Sequence, residues 1–260
     1  PFKFRMTPLE DIEADLFESQ QQIRTWPGAK VQRIYLVGAN PFVLNFERLK
    51  DIAERIHHYY PECESIGCFS RISDIGLKSD TELKKLSELG YDGITIGVET
   101  GDDNALSFMD KGYTSNDIVE QTHRLDLANI SYNFFYLTGI SGAGNGVNGA
   151  MESAKVFNQT NPKIIGSSML TIYPESKLFN EIKNGNWMEE SELEKLEEIK
   201  TLISLLDIPV YFATLGASNA IWVEGDLPAD KDKMISHLKK VCHPENESKL
   251  RNYRKNLKHL

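Results

Sequence analysis

Strand-like and helix-like segments alternate along this 260-residue chain, and that alternation limits the fold more than any other feature. Short β-branched or aromatic runs at 34–37, 65–69, 93–97, 132–137 and 164–173 are separated by stretches whose apolar residues recur at helical spacing. The strand starts recur roughly every 30 to 40 residues, as in consecutive βα units of a parallel sheet. Helix signals fall between them. Thr7-Pro8-Leu9-Glu10 reads as a start capped by Thr7, followed by the stripe Leu9, Ile12, Leu16 and Ile23. Ser79-Asp80-Thr81-Glu82 is a second capping box, and Gly90 ends that helix. A further helix is expected over 150–159. Beyond Leu206 the pattern predicts a strand at 208–213, a loop to Leu227-Pro228, and helices over 230–241 and 247–257. Residues 1–215 therefore read as a βα body and 216–260 as a C-terminal helical extension. A parallel α/β barrel opens with a strand, whereas this chain opens with a helix. A strand and its loop are accordingly expected upstream of Pro1.

Composition narrows the function classes. With 40% hydrophobic and 26% charged residues the chain is that of a globular protein. No apolar run is long enough to span a membrane. A net charge of −9 argues against broad nucleic-acid binding. The one basic stretch is the tail, with Lys249, Arg251, Arg254, Lys255 and Lys258, which reads as a solvated helix end, or alternatively as a patch for a partner or RNA. Cys63, Cys68 and Cys242 fit a reducing, cytoplasmic setting and match neither zinc nor CxxC spacing. Cys63 and Cys68 flank a short strand and read as structural.

Four segments fall at expected strand ends, where parallel α/β folds bind ligands. Gly93-Ile94-Thr95-Ile96-Gly97-Val98-Glu99-Thr100-Gly101 joins a buried strand to a polar turn, with Gly97 and Gly101 offering close backbone approach to a ligand. Met109-Asp110-Lys111-Gly112-Tyr113-Thr114 follows it. Val37-Gly38-Ala39-Asn40-Pro41 comes after the first visible strand. Tyr136-Leu137-Thr138-Gly139-Ile140-Ser141-Gly142 and Met169-Leu170-Thr171-Ile172-Tyr173-Pro174-Glu175 end the fourth and fifth. Taken in chain order, the segments resemble those of radical S-adenosylmethionine (radical SAM) enzymes, over most of residues 5–215.

The resemblance implies a partial (β/α)6 TIM-like barrel and an Fe–S oxidoreductase that reductively cleaves S-adenosylmethionine to a 5′-deoxyadenosyl radical, which takes hydrogen from a substrate. It implies that Gly38, Ala39 and Asn40 meet the methionine amino group, with Asn40 standing where the family has an acid. Gly97 and Glu99 would face the cofactor, and Lys111 would hold its carboxylate. Leu137 and Gly139 would cradle adenine, and Tyr173 would wall the cavity. Ser70 and Arg71 would point into the same space, Arg71 toward an anionic substrate, with Glu175 also on the substrate side. The [4Fe-4S] cluster implied by the family sits on a CxxxCxxC motif, expected upstream of Pro1, and a flavodoxin- or ferredoxin-type donor would reduce it.

Other readings remain open on the residues alone. Gly144-Asn145-Gly146-Val147-Asn148-Gly149 is a literal GxGxxG between a strand and a helix, although residues 166–171 lack the acid a dinucleotide site needs. Glu99 and Glu175, both expected at strand ends, would suit a glycoside hydrolase. A barrel without a cluster would suit a non-catalytic binding module.

Overall fold

The computed structural model describes residues 5–257, so the opening residues 1–4 and Lys258 of the basic tail lie outside the described residues. Among the described residues seven strands form one sheet in the order β1-β2-β3-β4-β5-β6-β7. They are β1 (Arg33–Leu36), β2 (Ser65–Arg71), β3 (Ile94–Glu99), β4 (Tyr132–Thr138), β5 (Ile164–Met169), β6 (Val210–Thr214) and β7 (Glu224–Leu227). The first six are parallel, and β7 returns antiparallel on β6. The helices are α1 (Leu9–Ile23), α2 (Phe46–Tyr59), α3 (Ile72–Gly76), α4 (Asp80–Glu88), α5 (Asp103–Phe108), α6 (Ser115–Leu127), α7 (Gly146–Phe157), α8 (Lys177–Lys183), α9 (Glu192–Leu205), α10 (Lys231–Val241) and α11 (Glu247–Lys255). A sequential parallel order with helical crossovers is that of a barrel wall, and here β1 and β7 are its two edges.

Burial along the central strands alternates, which fixes the two faces. Ile94, Ile96 and Val98 of β3 and Tyr132, Phe134 and Tyr136 of β4 are fully buried beneath the helices. Between them Thr95, Gly97, Glu99, Asn133, Phe135 and Leu137 are only half-buried. A parallel sheet covered on both faces would be apolar throughout. This one keeps an inner face open, as the wall of a partial barrel does, and so matches the expected fold class.

Several local expectations change. Pro8, not Thr7, is the N-cap of α1, without a side-chain cap bond. The box at Ser79 and Glu82 forms as the sequence suggests. β5 stops at Met169, not at Tyr173: its ladder to β4 ends at the Thr138–Met169 pair, and residues 174–176 form a turn. Helix α7 starts at Gly146 and so takes in the later glycines of the GxGxxG run. The segment after 215 is not wholly helical. β7 buries Gly225 and Leu227 and exposes Glu224 and Asp226, a strand alternation too short to stand out in the sequence. The acid-rich stretch 192–205 folds as α9, which packs on α7 and carries several buried charges.

Candidate cofactor cleft

The C-terminal ends of β2 and β3 and the loops that follow build a charged corner. The ladder between β3 and β4 slips at a bulge, so that Gly97 pairs with Phe135 and Glu99 with Tyr136. Glu99 takes up the extra residue in a left-handed conformation, φ 59°. For a residue with a Cβ this backbone is unfavourable, and such positions cluster at ligand sites. Its carboxylate oxygen Oε1 lies 3.4 Å from Lys111 Nζ. Arg71, paired in register with Gly97, donates from Nη2 to the Lys111 carbonyl at 3.0 Å.

The chain between Glu99 and Lys111 is held by its own polar groups. Tyr113 donates its hydroxyl to the carbonyls of Gly97 (3.1 Å) and Val98 (3.2 Å), at the bulge itself. Burial pushes that phenol well above its ordinary pKa, so it stays a donor. Asp102 caps α5 and accepts from Ser141 Oγ at 3.1 Å, which ties the loop after β3 to the loop after β4. Thr114 and Asp117 form a capping box at the start of α6.

The structure brings Gly97, Glu99, Lys111 and Arg71 together. Leu137 lies on the open face of β4, and Gly139 follows directly, its N–H donated to Glu198 Oε2 at 2.7 Å. Gly38, Ala39 and Asn40 follow β1 at the same end of the sheet, and Asn40 Oδ1 is buried without a donor. Ser70 departs from expectation: neighbours on a strand face opposite ways, and Ser70 is buried while Arg71 is exposed. Tyr173 (52% exposed) and Glu175 sit past the end of β5 in exposed backbone. Among the described residues neither bonds Glu99, Lys111 or Arg71 through its side chain. The pairing of Glu99 with Glu175 as two strand-end carboxylates is therefore corrected.

Two glycines of the GxGxxG run, Gly146 and Gly149, answer to packing, whereas Gly144 has open space around it. A Cβ at Gly146 would lie 2.7 Å from Glu190 Oε2, and one at Gly149 would lie 2.3 Å from Ser141 Oγ. Gly101 is a similar correction, since its added Cβ would meet Ser153 Cα of α7 at 2.7 Å instead of open cleft.

The three cysteines are free. Cys63 and Cys68 are buried, and burial pushes the Cys68 thiol up to about 12. Among the described residues no group of three His, Cys, Asp or Glu side chains could hold a metal ion. The residues present do not fit a [4Fe-4S] cluster. Lys111 and Glu99 present a cation and a carboxylate, and Asn40 Oδ1 an unpaired acceptor.

Sequence reasoning missed several parts. Phe69 and Tyr35 stack edge-on across the open face with ring centroids 5.2 Å apart. Behind the Gly139 loop lies a buried set of Glu190, Lys195 and Glu198. The glutamates of α9 gave no signal, because acids three and four apart on a helix read as a solvated stripe. The tail also reads differently in space. Arg251 pairs with Glu189 at 3.0 Å and Glu192 at 3.4 Å, and Arg254 with both at 3.6 Å, so two of the tail's cations face inward.

No family model and no curated protein matches the sequence. Solved structures match its fold. The archaeal Elp3 of Methanocaldococcus infernus, with an N-terminal deletion, superposes with TM-score 0.60 at 15% identity, over 92% of this chain and 59% of that one. Coproporphyrinogen III oxidase (HemN) from Escherichia coli, a radical SAM enzyme, gives TM-score 0.59 at 13% identity, over 75% of this chain and 44% of its own. The radical S-adenosylmethionine methyltransferase TsrM from Kitasatospora setae, solved with cobalamin and a [4Fe-4S] cluster, gives 0.51 at 16%, over 68% of this chain and 33% of its own. The chain thus has the fold of radical SAM enzymes and spans 59% and 44% of the first two chains.

Proposed function

We propose that this chain supplies the S-adenosylmethionine-binding wall of a cytoplasmic radical SAM oxidoreductase. The observation that carries the reading is the Glu99–Lys111 pair, set at a strained bulge on the C-terminal edge of a radical SAM-type sheet. Lys111 holds the cofactor carboxylate, and Glu99 turns toward the cofactor's polar groups. Asn40 Oδ1 and the Ala39 carbonyl accept from its amino group. The loop from Leu137 to Gly142 lies along adenine. Arg71 and the half-open rings of Phe69 and Tyr35 face the substrate side, which suits an anionic substrate with apolar surface.

Lys111, Glu99, Asn40 and the loop 137–142 would hold S-adenosylmethionine, and a low-potential Fe–S cluster would supply the electron its hydrogen-abstracting chemistry needs. The described residues offer no ligands for that cluster, and their work is to bind, orient and shield the sulfonium compound. A flavodoxin or ferredoxin is the class of reductant that fits. In the native fold Lys111 is already pre-paired, so its ammonium reaches the ligand without a new ordering cost. Isothermal titration of the full chain with S-adenosylmethionine tests the reading. Saturable binding is expected, weakened about tenfold in Lys111→Met, since a charge-assisted hydrogen bond contributes about 1.5–3 kcal/mol. Absence of saturable binding overturns it.

A further inference from the structure

The loop that follows β4 rests on two carboxyl groups that nothing in the cofactor reading uses. Glu198, wholly buried on α9, accepts from Tyr136 Oη at 2.5 Å and from Gly139 N at 2.7 Å. Glu190, wholly buried just before α9, lies against Gly146 at the start of α7. Neither Glu190 oxygen has an N–H or O–H donor within reach. The two carboxyl groups stand within hydrogen-bonding reach of each other.

The charges around them are already balanced. Lys195 Nζ is 2.6 Å from Glu189 and 3.3 Å from Glu192. Arg251 and Arg254 of α11 face the same two acids, and Arg251 also meets Glu247 at 3.6 Å. Three cations thus stand against Glu189, Glu192 and Glu247. Glu194 is taken by the Gly144 N–H and the Ser191 cap. From β4 Tyr136 faces Glu198 as a donor, and α7 presents the neutral Ser153 beside that phenol. The field of Lys195 reaches Glu190, but its ammonium bonds Glu189 and Glu192, and the carboxylates of Glu194 and Glu189 oppose it there, so among the described residues no cation is bonded to Glu190 or Glu198. Two bare carboxylates in a dry site repel each other and leave Glu190 without a donor. A single proton between them removes both penalties.

We propose that Glu190 and Glu198 share one proton and, as a carboxyl–carboxylate pair, act as positioning residues that hold residues 139–146 against α9. The loop so held is the adenine side of the cleft, and this part rests on the cofactor reading. Loss of the shared proton sets the two charges against each other. Gly146 then no longer meets a neutral group, Glu198 shifts from the Gly139 N–H, and the loop loosens. The pair therefore makes the geometry of the cleft sensitive to alkaline pH.

Amide hydrogen exchange of the full chain, without ligand, reads this directly. Protection factors for peptides covering 137–147 are expected to fall at least tenfold as pH rises from about 6 to about 9, while those of α2 stay constant. In Glu190→Gln a permanent amide donor replaces the proton, and the profile should become flat. Glu198→Gln is the second variant if the first does not fold. Infrared spectra should show a buried protonated carboxyl that disappears in either variant. A flat wild-type profile, or a variant that keeps the wild-type profile, overturns the proposal. Titration with S-adenosylmethionine at both pH values separates the two readings. Weaker binding at high pH in wild type alone supports both. The expected exchange profile with no binding at either pH keeps the loop device and overturns the cofactor assignment.

Discussion

Replacing Glu99 by glycine and by alanine separates backbone strain from side-chain chemistry. Glu99 holds φ 59°, a conformation that costs an L-residue about 1–2 kcal/mol. Alanine keeps that cost, and glycine removes it. Both lose the ion pair to Lys111, whose partners are 21% and 23% exposed and which contributes at most about 1 kcal/mol. Glycine in turn gives up about 0.5–1 kcal/mol of backbone entropy. Glu99→Gly should therefore be more stable than Glu99→Ala by about 1 kcal/mol in urea unfolding, with unchanged m-values. At an ordinary strand position the order is reversed. Both variants should bind S-adenosylmethionine at least tenfold more weakly than wild type. Alanine matching or exceeding glycine in stability would refute the claim that the site stores strain at this residue.

Other outcomes follow from the same geometry. Lys111→Met should lower affinity for the cofactor about tenfold yet shift the urea midpoint little, because the pair is partly solvated; a large loss of stability would mark the lysine as structural. Gly101→Ala should destabilise by about 1–3 kcal/mol, since its Cβ would press on the α7 backbone at 2.7 Å, and neutral behaviour would return this glycine to the ligand side. Arg254→Leu strips a partner from Glu189 and from the buried Glu192 of α9 and should cost about 3 kcal/mol, read by thermal unfolding. Burial lifts the Glu190 carboxyl from 4.5 to about 7, so it binds its proton more tightly folded than unfolded. That stability is complete below about 4.5 and is lost as pH rises through about 7. Relative to wild type, Glu190→Gln should gain about 3 kcal/mol between pH 4 and pH 8, and a constant difference would refute the shift.

The parallel architecture and the corner at Glu99 and Lys111 were legible because both are local. β-branched runs mark strands, and a strand's end places the next polar residue. The bulge at Glu99 was not legible, since a left-handed glutamate leaves no mark on sequence periodicity. Tyr173 and Glu175 were misplaced for a related reason. A run of strand-forming residues from 164 to 173 gives no stop, whereas the stop comes from β4, whose ladder ends at Thr138. The buried charges of α9 stayed hidden because charge pattern alone cannot show that Arg251 and Arg254 return from α11 to cover them. Gly146 and Gly149 showed the opposite failure, a ligand motif whose glycines serve helix packing.

Hydrogen exchange with and without S-adenosylmethionine tests the location of the cleft most directly. The account predicts that the cofactor protects amides in 97–101, 111–113 and 137–142 and leaves those of α10 and α11 unchanged. Protection elsewhere, with these three segments unaffected, would contradict it.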